Sequence, residues 1–240
     1  MALKGEISVK KSNRPIIFIL ILFAITLVIS GILAGIINIF IKDDNISGAI
    51  SRIIVSIFMI LLFYNKDNFK YNFRGLKLML PLLLFGLYKI PLWFYTQGEI
   101  SNILTGFICG LAPGIYEEFL FRGIFIDRLS RKYKSNVKIL LLSTIVFSLV
   151  HLTNAVGQDL TSVIFQVIFS VAFGIAVGGV YIKTQDICSV IIVHVATDII
   201  GYIFISNPTS SDLALILVVI LCVCESLYGF LLLKKYANIA

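Results

Sequence analysis

Apolar runs as long as a bilayer is thick dominate this chain, separated by short charged loops. A hydrocarbon core of about 30 Å is spanned by roughly 20 helical residues. Eight stretches reach that class of length: 15–41, 46–64, 76–96, 100–126, 137–155, 160–182, 187–206 and 212–233. They are continuously apolar rather than alternating, which predicts helices and not the strands of a membrane barrel. The composition agrees: 59% of the 240 residues are hydrophobic, 14% are charged, and the mean hydropathy is +1.00. One water-soluble core of this size cannot hide such an excess. A soluble enzyme, a nucleic-acid binder and a disordered chain are excluded together. The expected fold is an all-α polytopic helical bundle of about eight spans, forming one integral membrane domain over 1–240.

The stretch 46–64 is the weakest of the eight, being short and containing Arg52. The run 15–41 follows Lys10, Lys11 and Arg14 and far exceeds a signal-peptide core of about 7–15 residues, so it reads as a retained first span. With the N-terminus placed in the cytoplasm, the inner segments carry sixteen of the 20 Lys and Arg. These are Lys4, Lys10, Lys11, Arg14, Lys66, Lys70, Arg74, Lys77, Arg128, Arg131, Lys132, Lys134, Lys138, Lys183, Lys234 and Lys235. The outer loops carry Lys42, and Arg52, Lys89 and Arg122 fall within spans. This asymmetry predicts a multi-pass cell-membrane protein with both termini cytoplasmic. The net charge of +7 is thus a sign of orientation rather than of nucleic-acid binding. Cys109, Cys188, Cys222 and Cys224 lie in or beside apolar stretches without metal-ligand spacing, and read as small packing residues.

Ionisable side chains inside spans are costly and are functional suspects by default. The fourth span contains Glu117, Glu118 and Arg122; the fifth ends near His151; the seventh contains His194 and Asp198. Both histidines of the chain are in this set. Glu118 and Arg122, four apart, share a helix face and can pair. Glu117 points about 100° away and is free for a different task. Counted from the cytoplasmic end of each span, Glu117 is about 14 Å deep, His151 about 20 Å, His194 about 12 Å and Asp198 about 18 Å. Three helices therefore deliver carboxylates and imidazoles to one slab of the membrane. Such a set can hold a zinc-like divalent metal through Glu117, His151, His194 and Asp198. Without metal, Glu117 can act as base on a water held by His151, with His194 at a developing oxyanion. Either scheme hydrolyses a carbonyl compound, most simply a peptide bond. Pro113 and Gly114 just precede the carboxylates and predict a kink that admits water.

Weaker signals lie nearby. Lys89 and Glu225 are at similar depth and can pair, although Lys89, like Arg52, also fits a side chain snorkelling to the membrane surface. Phe147 reads as packing that shapes the pocket. Gly174, Gly178 and Gly179 read as close helix packing.

Glu117-Glu118-Phe-Leu-Phe-Arg122, then Phe147-Ser-Leu-Val-His151, then His194-Val-Ala-Thr-Asp198 resemble the three motifs of the CPBP family, the CAAX proteases and bacteriocin-processing enzymes also called Abi. The likeness covers about 115–200. It implies an intramembrane endopeptidase with a catalytic core at about 100–206. It also implies Glu117 as water activator, Glu118 and Arg122 as its support, and His151, His194 and Asp198 as the remaining site residues. Eukaryotic relatives remove the last three residues of prenylated CAAX proteins, and bacterial relatives are associated with bacteriocin processing, self-immunity or peptide signals. The implied partners are a peptide or membrane-anchored protein substrate and the lipid bilayer. Family members carrying Asn at the last position can donate to an oxyanion; an ionised Asp198 cannot, and suits a metal or an imidazolium instead. The chain lacks the His-Glu-x-x-His of zinc-dependent intramembrane proteases. A non-catalytic immunity or scaffold protein of the same fold, and a transporter gated by Glu117, Glu118 and Arg122, are the rival expectations.

Overall fold

The computed structural model describes residues 14–63, 73–95, 99–205 and 212–234. Lys4, Lys10, Lys11, Lys66, Lys70 and Lys235 lie outside these residues, as do the expected span ends at 64, 96 and 206. The fold is all-α. Its helices are α1 (Pro15–Ile41), α2 (Asp44–Phe63), α3 (Leu76–Gly86), α4 (Lys89–Tyr95), α5 (Ile103–Glu117), α6 (Asp127–Ser130), α7 (Asn136–Val150), α8 (Leu160–Thr184), α9 (Ile187–Ile203) and α10 (Asp212–Lys234). A π-helical segment, Glu118–Ile126, joins α5 to α6, and a 3₁₀ turn, His151–Val156, follows α7.

Seven of these units are long and apolar enough to cross a membrane: α1, α2, Leu76–Tyr95, Ile103–Ser130, Asn136–Val156, α8 and Leu215–Lys234. The eighth expected span, α9, is a 17-residue apolar helix. At 1.5 Å per residue it covers about 25 Å, and its chain continues as an extended pair instead of helix. There Glu99 faces Ile205 and Ile100 faces Phe204 in a two-residue antiparallel ladder. This small ladder departs from the purely helical expectation and ties the start of α5 to the end of α9.

Local chemistry sets the helix ends. Pro15 opens α1, where a missing N–H costs nothing. Lys42 closes it in the left-handed region with its N–H on the Asn38 carbonyl. Asn102 caps α5 by accepting from the amides of Leu104 and Thr105. Asp159 caps α8; Ser162 donates to its carboxylate and holds it below the usual carboxylate range. Asp186, fully buried, caps α9 through Ser189 and also accepts the Gly75 amide at 2.8 Å. One carboxylate therefore fastens the start of α3 to the α8–α9 turn.

Burial separates lipid-facing from central elements. Only 17% of the apolar window of α1 is buried inside the protein, against 61% for α8. All nine residues of the π segment are buried, and Phe119, Leu120, Phe121, Ile124 and Phe125 form the middle of the core. Glycines set how close the helices come. Gly174 and Gly178 meet Thr144 and Leu140 of α7, and Gly179 lies on the Gly229 backbone, as their spacing predicted. The sequence reading did not single out Gly110 on α5. A Cβ there would sit 2.5 Å from the Ile199 amide nitrogen and 2.6 Å from its Cα. Gly114, expected to open a kink, packs on Val195 of α9, the helix that carries Ile199. The α5–α9 contact is thus one of backbone on backbone, as small residues permit in membranes.

This contact gives the first prediction. Gly110→Val should cost about 3 kcal/mol, the upper end for overpacking, because backbone cannot yield as a side chain does. Gly31 on α1 has nothing within 4 Å of a built Cβ, so Gly31→Ala should leave thermal stability in detergent unchanged. Equal melting temperatures for the two variants would contradict the close contact.

Candidate active site

The close α5–α9 contact brings the end of α5 beside the middle of α9, and α5 continues there as the π segment. Glu117 is the last residue of α5 and Glu118 the first of the π segment. His151 stands where α7 gives way to the 3₁₀ turn. Two site residues therefore occupy helix irregularities, a common place for functional side chains. Pro113 lies within α5 and lines the cavity, and the helix becomes π-helical from Glu118, five residues on.

The two adjacent carboxylates have opposite surroundings, as their 100° separation predicted. Glu118 is 0% exposed. Its Oε1 is 3.0 Å from Arg122 Nη1 and 2.6 Å from His194 Nδ1. Arg122, 1% exposed, also lies with its guanidinium carbon 4.2 Å from the centre of the Phe147 ring. Glu118 therefore cannot touch a substrate; it is a clasp between the π segment and α9. The Glu117 side chain is 21% exposed and faces a cavity of about 620 Å³.

Around Glu117 the imidazoles are held in defined orientations. His151 Nδ1 is 2.8 Å from the Phe147 carbonyl, which only accepts, so Nδ1 carries the hydrogen and Nε2 faces the cavity. His194 donates from Nδ1 to Glu118, leaving Nε2 3.4 Å from Asp198 Oδ2. Glu117 Oε2 lies 3.7 Å from His151 Nε2 and 4.0 Å from His194 Nε2. These separations are long for direct hydrogen bonds and suit groups sharing a water. Aromatic rings lock both imidazoles. Phe147 meets His151 edge-on at 4.9 Å, and Phe173 meets His194 at 4.7 Å. All six expected residues, Glu117, Glu118, Arg122, His151, His194 and Asp198, thus belong to one connected cluster.

The expected metal would be held by Glu117, His151, His194 and Asp198 of this cluster. Acceptor atoms converge on Glu117, which suits a cation in principle. Among the described residues, however, no group of three His, Cys, Asp or Glu side chains is arranged to hold one.

Some residues that line the cavity were given little weight by spacing alone. Lys89 does not reach for the membrane surface; its Nζ donates to the Thr197 carbonyl at 2.9 Å, beside Phe169. Arg52 also lines the cavity. Tyr116 braces α5 through a 2.6 Å bond to Thr26 of α1, and Asn154 binds Gln166 at 2.8 Å in the lining of the same cavity. Hydropathy alone marks intramembrane lysine and arginine as suspects but does not say which face they take.

Residues 99–200, which contain all six members of the cluster, match the family model described as Type II CAAX prenyl endopeptidase Rce1-like. No curated protein and no solved structure matches the chain. The stretch that builds the site is therefore similar to a CAAX protease family, the one its three motifs resemble, in a chain whose apolar helices mark a multi-pass membrane protein.

Proposed function

We propose that this protein is an intramembrane endopeptidase that hydrolyses a peptide bond with water activated by Glu117. The observation that carries the reading is the convergence of the Glu117 carboxylate and two fixed imidazole Nε2 atoms at a cavity inside the membrane-spanning bundle. Water between Glu117 and His151 gives its proton to Glu117 as its oxygen attacks the substrate carbonyl carbon. The negative charge that develops on the carbonyl oxygen is met by the protonated form of His194, whose Nε2–H points to the cavity while Nδ1–H remains on Glu118. The tetrahedral intermediate collapses, the C–N bond breaks, and the proton passes from Glu117 to the leaving amine. Asp198 supports the imidazolium, a role for which its carboxylate is suited and an amide is not.

The proposed arrangement is a single integral membrane domain with the catalytic core at about 100–206 and both termini in the cytoplasm, supported by the lysine and arginine asymmetry of the loops. Its substrates are membrane-associated peptides, of the prenylated CAAX type or precursors of bacteriocins and peptide signals. The test is cleavage of a farnesylated CAAX-type peptide by the purified full chain in lipid nanodiscs, with products read by mass spectrometry. Release of a carboxy-terminal fragment is expected, with and without chelator. Absence of any cleavage overturns the reading, and cleavage abolished by chelator replaces the metal-free scheme with a metal-dependent one.

A further inference from the structure

The cavity wall contains a second chemistry that hydrolysis does not use. Arg52 lies on α2, within a membrane span and outside the three motifs, and lines the same cavity as Glu117 and His194. An intramembrane guanidinium normally pairs with an acid. Among the described residues, the Arg52 guanidinium has neither an ion pair nor a hydrogen bond. The acid nearest in sequence on that wall, Asp44, is engaged by Asn38 at 2.6 Å. The cavity's other candidate cation differs: Lys89 is tethered to Thr197 and lies in the fields of Asp198 and Glu225. Arg52 is left with an open fork of donors, a geometry that matches a carboxylate.

Its level in the bundle is set by packing. Ala49 packs with Cys109 and Ala112. Ser51 bonds Ser30 of α1, and Tyr116 bonds Thr26 one turn away on the same helix, which sets Arg52 about a turn from the level of Tyr116 and Glu117. An extended peptide advances about 3.3 Å per residue. We propose that Arg52 anchors a carboxylate of the substrate, one to three residues from the bond that is cut. This rests on the peptidase reading and adds to it a preference for an anionic group near the scissile bond. A peptide offers two such groups, its terminal carboxylate and an acidic side chain.

The experiment measures binding, so that it does not depend on turnover. Full-length Glu117→Gln protein in nanodiscs is titrated with three farnesylated tetrapeptides: a free acid, its C-terminal amide, and an amide with Glu at the last position. Binding of the free acid tighter than the plain amide by tenfold to a hundredfold is expected, the scale of one charged hydrogen-bond pair. Adding Arg52→Gln should erase that preference, Arg52→Lys should retain part of it, and Lys89→Gln should leave it intact. If the Glu-bearing amide binds like the free acid, the anchor accepts a side chain; if it binds like the plain amide, it accepts the terminus. No binding of any peptide, equal binding of acid and amide, or a preference that survives Arg52→Gln overturns the proposal. Cleavage by the parent protein is scored separately, so a failed anchor and a failed peptidase are distinguishable.

Discussion

Glu117→Gln should lower peptide hydrolysis by about 10²- to 10⁴-fold, the span typical of a positioned general base, while the protein keeps its fold. Both halves of the expectation follow from one contrast. The Glu117 side chain faces the cavity and, among the described residues, makes no close hydrogen bond; its partners, His151 and His194, lie 3.7 and 4.0 Å away. Glutamine is nearly the same size, so packing is undisturbed, but it cannot accept a proton from water at neutral pH. The loss should appear in kcat rather than in peptide affinity, since the carboxylate acts on water and not on the peptide's flanking groups. The checks are initial rates in nanodiscs and a melting temperature in the same preparation. Unchanged hydrolysis would remove Glu117 from the chemistry. Lost hydrolysis with a large fall in melting temperature would reassign it to structure.

The sequence announced much of this site because the bilayer makes polar residues expensive. In a soluble protein, Glu117, His151, His194 and Asp198 would be four polar residues among dozens. Here they stand out against continuous apolar runs, and their depths can be counted from the loops at 1.5 Å per residue. The 100° turn between adjacent helical residues set Glu117 and Glu118 on different faces, and the structure places them in the cavity and in the core. What hydropathy could not supply was the irregular backbone. Leu, Ile and Phe in Glu118–Ile126 favour an α-helix as readily as a π-helix, and only packing against the surrounding helices decides. The α5–α9 glycines were equally hard to read, because a small residue shows its purpose only when the opposing backbone is in view. Arg52 and Lys89 were ambiguous for a related reason. Long flexible cations reach either the membrane surface or an internal cavity from the same helix position.

Removing the partner of Arg122 should be the most damaging single change to stability. In Glu118→Ala, a guanidinium 1% exposed loses the carboxylate 3.0 Å away. A buried charge left alone in this way typically costs about 3–5 kcal/mol. The same deletion releases His194 Nδ1, so hydrolysis should fall even in the fraction that remains folded. One double variant separates these two consequences. Glu118→Leu with Arg122→Met replaces the clasp by apolar groups of similar volume, and such exchanges are often neutral or stabilising. Its melting temperature should recover to near that of the parent. Hydrolysis should not recover, because leucine cannot accept the His194 hydrogen bond that keeps Nε2 turned toward Glu117. If activity returned together with stability, Glu118 would be a structural clasp alone. If neither returned, the ion pair would be required for the π segment itself. The expected split, stability restored without turnover, marks Glu118 as a positioning residue acting through His194.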